Sequence, residues 1–310
     1  MDLFTNTSFI TLTGHIELEK YRYVYFIVCL FVYLLIVCCN ILVLFVIYTD
    51  KHLYEQMYVF IAALLLNSLI GATIFYPKLL SDFLSETQVI SRDACIFQSF
   101  FIYTYAGSEF TLLSAMAYDR YVSICKPLQY SALVKISTCK KLLFFCWIVP
   151  SCETGVGLIL TYQLKLCRFK INRIYCNNNV IVKLSCDNTS IKTSYGMFAF
   201  SVAVFPPVVF IIISYIQILN ICLKNSKDFR RKALQTCFPH LFTFTCFTVT
   251  SCFEIINSWL EARLPPVFSL LMSIINLIIP PVINPVIYGL KMQEIRKRIK
   301  RIFWKTKILF

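Results

Sequence analysis

The chain is short of charge, glycine and histidine. Charged residues make up 15% of its 310 positions, against 58% hydrophobic. A soluble domain of this size could not hide that much apolar surface, so the scarcity of charge points to the membrane class. With only seven glycines, the connectors between apolar runs are short and Gly-poor, and no low-complexity segment appears. No internal repeat or pair of broken helices appears either, which argues against a transporter. The three histidines, His15, His52 and His240, are too scattered for a metal site, and no nucleophile–base constellation suggests an enzyme. The net charge is +14, yet no basic soluble domain exists to hold a nucleic acid. The first 22 residues are polar and mixed in charge. They lack the basic start and short apolar stretch of a signal peptide, so the first apolar run is expected to act as its own insertion signal.

What is abundant is apolar sequence long enough to cross a bilayer. Seven runs reach the needed length of about 20 residues: Tyr23–Tyr48, Met57–Tyr76, Cys95–Cys125, Leu142–Tyr162, Tyr195–Leu223, Leu234–Leu260 and Val267–Leu290. Strands of a membrane barrel are shorter and alternate polar with apolar, so the fold class is an all-α membrane protein, a seven-helix bundle. Three regions follow: a tail 1–22 outside, a bundle 23–290, and a cytoplasmic segment 291–310. Lys and Arg crowd 126–141, 224–232 and 291–310, whereas 1–22, 78–93 and 254–263 each carry a slight acidic excess. This bias places the N-terminus outside and the C-terminus in the cytoplasm. The one long connector, Gln163–Ser194, is basic and works against the bias, but long loops weigh less and its cysteines suggest a folded cap. The last segment has apolar residues at Met292, Ile295, Ile299, Ile302 and Phe303 and a basic face of Arg296, Lys297, Arg298, Lys300 and Arg301. It reads as an amphipathic helix on the anionic inner leaflet, with membrane lipids as its partner.

Of 15 cysteines, four fall on the expected outside: Cys95, Cys167, Cys176 and Cys186. Pairing is expected there, with three connectivities open. The others read as packing residues or reduced thiols. Asn6-Thr7-Ser8 and Asn188-Thr189-Ser190 fit the glycosylation pattern on the same side.

Polar residues inside the apolar runs are functional candidates. Asp119 and Arg120 sit side by side where the third run ends. Adjacent helix positions point about 100° apart, so a fixed clamp is not required, and an interfacial ion pair is the plain reading. Glu109, ten residues earlier, falls near mid-membrane. Glu153 in the fourth run faces a wet crevice or an inter-helix hydrogen bond, or favours a cationic ligand. Pro285 removes a backbone hydrogen bond in the last run, and Asn284 can supply a polar partner beside it. On one face of the third run Ser99, Ile102, Tyr103, Ala106 and Gly107 recur at helical spacing, as a ligand pocket or as packing core.

The order of motifs resembles odorant receptors, a branch of the rhodopsin-like G-protein-coupled receptors, over nearly the whole chain. The carriers are Asn40; Met57-Tyr58; Met116-Ala117-Tyr118-Asp119-Arg120-Tyr121 continuing through Pro127-Leu128 to Tyr130; Trp147; Ser214-Tyr215; Lys232-Ala233 with Thr236-Cys237 and His240; and Asn284-Pro285 with Tyr288. Phe75-Tyr76-Pro77-Lys78 and Pro280-Pro281 look most like fish-type members. Cys39 stands where the family has glycine, and Gln56 where it has proline before Met57.

The resemblance implies a receptor for a small-molecule odorant, in the plasma membrane, activating a heterotrimeric stimulatory G protein of the olfactory type. It implies Arg120 as the central G-protein contact, Asp119 as its restraint beside Tyr121, Tyr215 and Tyr288 as phenols of the active form, and His240 near Arg120. It implies disulfides Cys95–Cys176 and Cys167–Cys186. Pocket positions carry over to Phe200, Ala203, Thr248, Ser251, Ile255, Ile274 and Ile278. Where Thr248 stands the family usually has an aromatic, so the neighbouring Phe247 is expected to replace it. The related sodium-binding aspartate is absent; its position is Ser68, preceded by Asn67. For Glu109 three readings stay open: a neutral hydrogen-bond network with Asn67, Ser68 and Asn284, a sodium site, or direct ligand contact. A metabolite or peptide receptor on the same fold is the rival to olfaction.

Overall fold

The computed structural model describes residues 9–14, 20–50, 55–260 and 266–309. Asn6, His15 and His52 lie outside the described residues. The long helices are α1 (Arg22–Thr49), α2 (Gln56–Leu84), α3 (Arg92–Cys125), α5 (Ile136–Tyr162), α7 (Ser190–Lys224), α8 (Lys227–Leu260) and α9 (Pro266–Lys291). Shorter pieces are α4 (Tyr130–Leu133), α6 (Asn178–Lys183) and α10 (Gln293–Leu309). They form the seven-helix all-α bundle the apolar runs foretell. A helix satisfies its own backbone, which hydrocarbon cannot do. Apolar side chains such as Ile27, Phe31, Phe45, Phe198 and Leu223 stay exposed on the outer faces, the inverse of a soluble protein and the natural state against lipid.

The helices overrun the apolar runs at several ends. The second was expected to stop at Tyr76, but α2 continues through Pro77 to Leu84. Proline removes one intrahelical bond without ending the helix here, and the next turn carries a Lys78–Asp82 ion pair at i,i+4. α3 is central, packing against α2, α5, α7 and α8, while α9 closes the ring between α8 and α1. Gly107 of α3 is where α5 comes closest: a Cβ there would sit 2.8 Å from Pro150 Cβ.

A folded cap covers one end. The segment 1–22 was expected to be a polar tail, yet Phe9–Leu12 forms strand β1. It pairs antiparallel with β2 (Val89–Ser91) and parallel with β3 (Lys170–Ile171), giving the order β2-β1-β3. Alternation explains it: Ile10 and Leu12 are buried while Phe9 points out. Their partners are Ile90, Ile171, Val180, Ile181 and Leu184, each worth about 1.5–3 kcal/mol when fully buried. Gly14 follows the strand because a Cβ there would lie 2.6 Å from the Arg173 backbone. Cys95–Cys176 fastens the long loop to α3 and Cys167–Cys186 closes the loop on itself. At the opposite end α10 buries Ile295 and packs Ile299 and Ile302 on the bundle. Its Arg298 pairs with Asp50 at the end of α1, Nη2 to Oδ1 at 2.8 Å.

Candidate functional site

Three polar constellations run along the bundle axis. The innermost is built on Asp119, which is 1% exposed. Arg120 Nη2 donates to Asp119 Oδ2 at 2.8 Å. Although the two residues point apart, the long guanidinium arm folds back along the helix. The second oxygen, Oδ1, accepts from the Tyr130 hydroxyl at 2.8 Å. Tyr130 begins α4, so the loop after α3 contributes to the restraint. Burial and then the Asp119 charge hold the Tyr130 phenol well above its ordinary value, keeping it a donor. Removing the charged partner of a buried carboxylate costs about 3–5 kcal/mol, and Tyr130 satisfies the oxygen that Arg120 leaves free. Tyr121 and Tyr215 pack against Ile218, Cys222, Ala233 and Cys237, between α7 and α8.

The second constellation ties three helices through His240 of α8. Its Nε2 lies 2.8 Å from the carbonyl of Leu113 on α3, and its Nδ1 lies 2.7 Å from the Tyr215 hydroxyl on α7. A carbonyl only accepts, so the proton belongs on Nε2. Nδ1 then accepts from Tyr215. Tyr288 of α9 is buried nearby, its hydroxyl 4.0 Å from Met116 Sδ.

The third surrounds Glu109, which has no exposed surface. Oε2 accepts from Asn67 Nδ2 at 2.8 Å and Oε1 from Asn284 Nδ2 at 2.7 Å. Asn284 Nδ2 also reaches Ser68 Oγ at 3.0 Å. Asn67 is fixed in orientation, since its Nδ2 donates to Tyr105 O and its Oδ1 accepts from Trp147 Nε1 at 3.4 Å. Asn284 Oδ1 and Ser108 Oγ are buried without a hydrogen-bond partner. The Glu109 carboxylate, the unpartnered Oδ1 of Asn284 and the Ser68 hydroxyl together fit a small hard cation, which takes carboxylate, amide and hydroxyl oxygens. Pro285 follows Asn284 inside α9, so the network ends where that helix lacks a backbone bond.

Next to Glu109 on α3, Phe110 packs on Phe247 with ring centroids 4.7 Å apart. Phe247 is buried and Thr248 half-buried. The outer positions expected to line a chamber divide. Ile102, Ile274 and Ile278 meet around Phe75, Tyr76, Ile174 and Tyr175. Ala106 and Phe200 pack on the inner core. Tyr103, Ala203 and Ser251 are half-buried, and the Ile255 side chain lies outside the described residues. Two positions of the α3 face, left open between pocket and packing core, make packing contacts. Ser99 is wholly buried and spends its hydroxyl on Cys95 O at 2.8 Å. Gly107 faces Pro150, not the bundle interior. Both are packing positions, because helical spacing alone does not say which neighbour a face meets.

Sequence reasoning missed Tyr130 and a cluster at the mouth. There, Arg173 of the long loop lies 3.3 Å from Glu254 of α8, and the Tyr175 hydroxyl donates to the same Oε1 at 2.7 Å. The available signal was the acid itself, in the outer turns of an apolar run and in need of a partner. Glu153 is half-buried, and its Oε1 takes no hydrogen bond. Its backbone carbonyl accepts from Tyr195. Asn188 is exposed, its Oδ1 accepting from Ser190 N and Oγ.

A seven-helix bundle with a paired arginine at one end, a buried polar network at its centre and a disulfide-pinned cap defines a non-enzymatic membrane receptor of the G-protein-coupled class. The family profile described as olfactory receptor matches residues 28–306. The chain is 34% identical over 285 residues to olfactory receptor 2F1 of Homo sapiens, covering 90% of this chain and 88% of that one. It is 34% identical over 276 residues to olfactory receptor 52J3 of Homo sapiens, covering 88% of each. Against olfactory receptor 14J1 of Homo sapiens it is 30% identical over 307 residues, 98% of this chain and 95% of that one. The chain belongs to the olfactory receptor family, and is a multi-pass protein of the plasma membrane.

Proposed function

We propose that this receptor binds a small extracellular odorant among the outer halves of α3, α7, α8 and α9 and, in response, activates a stimulatory olfactory-type G protein. The observation that carries the coupling half is the Arg120–Asp119–Tyr130 triad. It holds the guanidinium against α3 in a resting arrangement, with His240 bridging α3 to α7 and α8. Activation frees Arg120 when the inner ends of α7 and α8 part, opening a gap for the G protein. Tyr215 and Tyr288 then pair within the opened site. The chamber half rests on Ile102, Ile274 and Ile278, whose apolar surfaces suit an apolar ligand. The capped end faces outside and α10 faces the cytoplasm, with three regions: tail 1–22, bundle 23–290 and cytoplasmic segment 291–310. Asn6 and Asn188 are the sites of glycosylation on that outer face, which a glycosidase-induced mobility shift, lost in Asn→Gln variants, would reveal.

The test is cyclic AMP in cells expressing the chain with an olfactory-type G protein, across water-soluble and volatile odorants. Surface level is read through an N-terminal tag in unpermeabilised cells. A response in wild type that is lost in surface-expressed Arg120→Ala supports the reading. An equal response in both removes Arg120 as the coupling residue, and an N-terminal tag seen only after permeabilisation overturns the orientation.

Sodium is the ion we propose at Glu109. It would be held by the Glu109 carboxylate with oxygens of Asn284 and Ser68, Asn284 turning its amide to present Oδ1. The ion would stabilise the resting bundle. Replacing sodium with potassium should then raise thermal lability and basal signalling in wild type and change neither in Glu109→Gln. Equal behaviour of wild type in both salts would remove the ion.

A further inference from the structure

The long loop between α5 and α7 touches α3 and α8 through neighbouring residues. Cys176 is bonded to Cys95, and its N–H donates to Gln98 Oε1 at 2.9 Å. The loop backbone is therefore fixed to α3 at this point. One residue earlier, Tyr175 turns its ring into the outer core, edge-on to Phe75 at 5.7 Å between centroids. Ile102 of α3 and Ile274 and Ile278 of α9 pack against the same apolar cluster, and they are the residues proposed above to meet the ligand. The far end of the same side chain reaches α8, its hydroxyl 2.7 Å from Glu254 Oε1. Arg173 Nη1 approaches that oxygen at 3.3 Å. Arg173 and Tyr175 are each 3% exposed, so the contact is shielded from water and electrostatically strong. Burial, then the Glu254 charge, holds the Tyr175 phenol well above its ordinary value, and it stays a donor throughout the physiological pH range.

We infer that Arg173 and Tyr175 form a strap holding the outer end of α8 to α3 in the resting receptor, and that a ligand entering the chamber releases α8 by displacing the Tyr175 ring. The inference rests on the receptor reading above. Ring and hydroxyl belong to one rigid group, so a ligand that shifts the ring by an ångström or so takes the hydroxyl out of hydrogen-bond range of Glu254. Tyr175 is a positioning residue: it acts on α8 through Glu254 and has no contact with the inner switch. Arg173 supplies the charge that makes Glu254 tolerable in an apolar setting, and a buried pair resists loss of one partner. The strap thus translates occupancy of an apolar chamber into freedom of one helix without requiring the ligand to carry a polar group.

The experiment compares basal cyclic AMP, at matched surface labelling, for wild type, Tyr175→Phe, Glu254→Arg, Arg173→Glu and the charge-exchanged double variant. Tyr175→Phe keeps the ring and loses the hydroxyl. A hydrogen bond to a charged group is worth enough to shift the resting equilibrium by about tenfold, so its basal signal should rise several-fold. Each charge reversal should raise the signal, and the double exchange should bring it back toward wild type. Wild-type basal levels in Tyr175→Phe, or no return in the double variant, would overturn the strap. Hydrogen exchange on purified receptor in lipid nanodiscs gives a readout independent of signalling. Amides in the outer turns of α8 should exchange faster in Tyr175→Phe, and equal exchange would also overturn the strap. Arg120→Ala runs alongside: a wild-type basal signal no higher than this variant's counts against the receptor reading, and the exchange comparison still decides the strap.

Discussion

At the scale of single residues, the proposed switch is a competition for one buried carboxylate. Asp119 takes Arg120 on one oxygen and Tyr130 on the other. Removing the Tyr130 hydroxyl leaves a buried acceptor unsatisfied, at a cost of about 1–3 kcal/mol. Tyr130→Phe is therefore expected to raise basal cyclic AMP several-fold at matched surface level. It should also lower thermal stability in a melting assay of the purified receptor. Wild-type behaviour in both assays would remove Tyr130 from the restraint. The pH dependence has a definite sign. The folded phenol lies above its ordinary value of 10.0, so its contribution is complete below that value and fades only as pH rises beyond it. Tyr130→Phe should accordingly differ from wild type by the same factor from mildly acid to mildly alkaline conditions. Much at this scale was legible. Asp119, Arg120 and Glu109 stood out because an ionisable group among apolar residues demands a partner, whereas Asn67 and Ser68 were named beside Glu109 through the resemblance to related receptors. Tyr130 was not, because an aromatic at a loop end has many uses and its partner is set by the path of the chain after Pro127.

At the scale of elements, the helices follow from the length of the apolar runs, but the cap does not. Four residues, Phe9–Leu12, are too few for a periodicity argument. Their strand exists only because β2 and β3 present open edges, and the sequence of one strand does not announce its partners. The cap is held by side chains that can be tested singly. Leu12 is 1% exposed among Ile10, Ile171 and Ile181. A buried Leu→Ala change costs about 2–5 kcal/mol. Leu12→Ala should thus lower surface expression and melting temperature, while Phe9→Ala, on the exposed side of the same strand, should leave both near wild type. Equal loss in the two variants would mean that the strand is held by its backbone pairing alone. The pocket shows the same limit of legibility in another form. Helical spacing put Ser99 and Gly107 on one face with Ile102, but only the approach of Pro150 decides that Gly107 is a contact with α5. Which neighbour a helical face meets is a property of packing between helices, absent from the spacing within one.

At the scale of the whole molecule, the two ends are held by different forces. The outer end is fixed covalently and by a sheet. The inner end has no disulfide among the described residues and relies on α10, whose apolar stripe packs on the bundle while Arg296, Lys297, Lys300 and Arg301 remain exposed. Arg298 departs from that basic face: it turns in to Asp50 at the end of α1. Among the described side chains this charge pair registers α10 against the bundle; Lys297 pairs within the helix with Glu294 at 2.8 Å, and Arg296, Lys300 and Arg301 are left for anionic lipid, which attracts each by about 1 kcal/mol. The two roles separate by mutation. Exchanging the charges, Asp50→Arg with Arg298→Asp, should retain the melting temperature that either change alone lowers. Reversing Lys300 and Arg301 to Glu should leave melting in neutral detergent unchanged and weaken retention on vesicles containing phosphatidylserine. If the Lys300 and Arg301 reversal instead lowers melting in neutral detergent, the exposed face contributes to the fold rather than to the lipid surface. Retained vesicle binding with unchanged melting would place the lipid contact on the remaining cations of the inner end. If, as proposed, the end carrying α10 moves to admit a G protein, this way of holding it suits that role, since apolar packing and ion pairs can rearrange on the timescale of signalling and a covalent bond cannot.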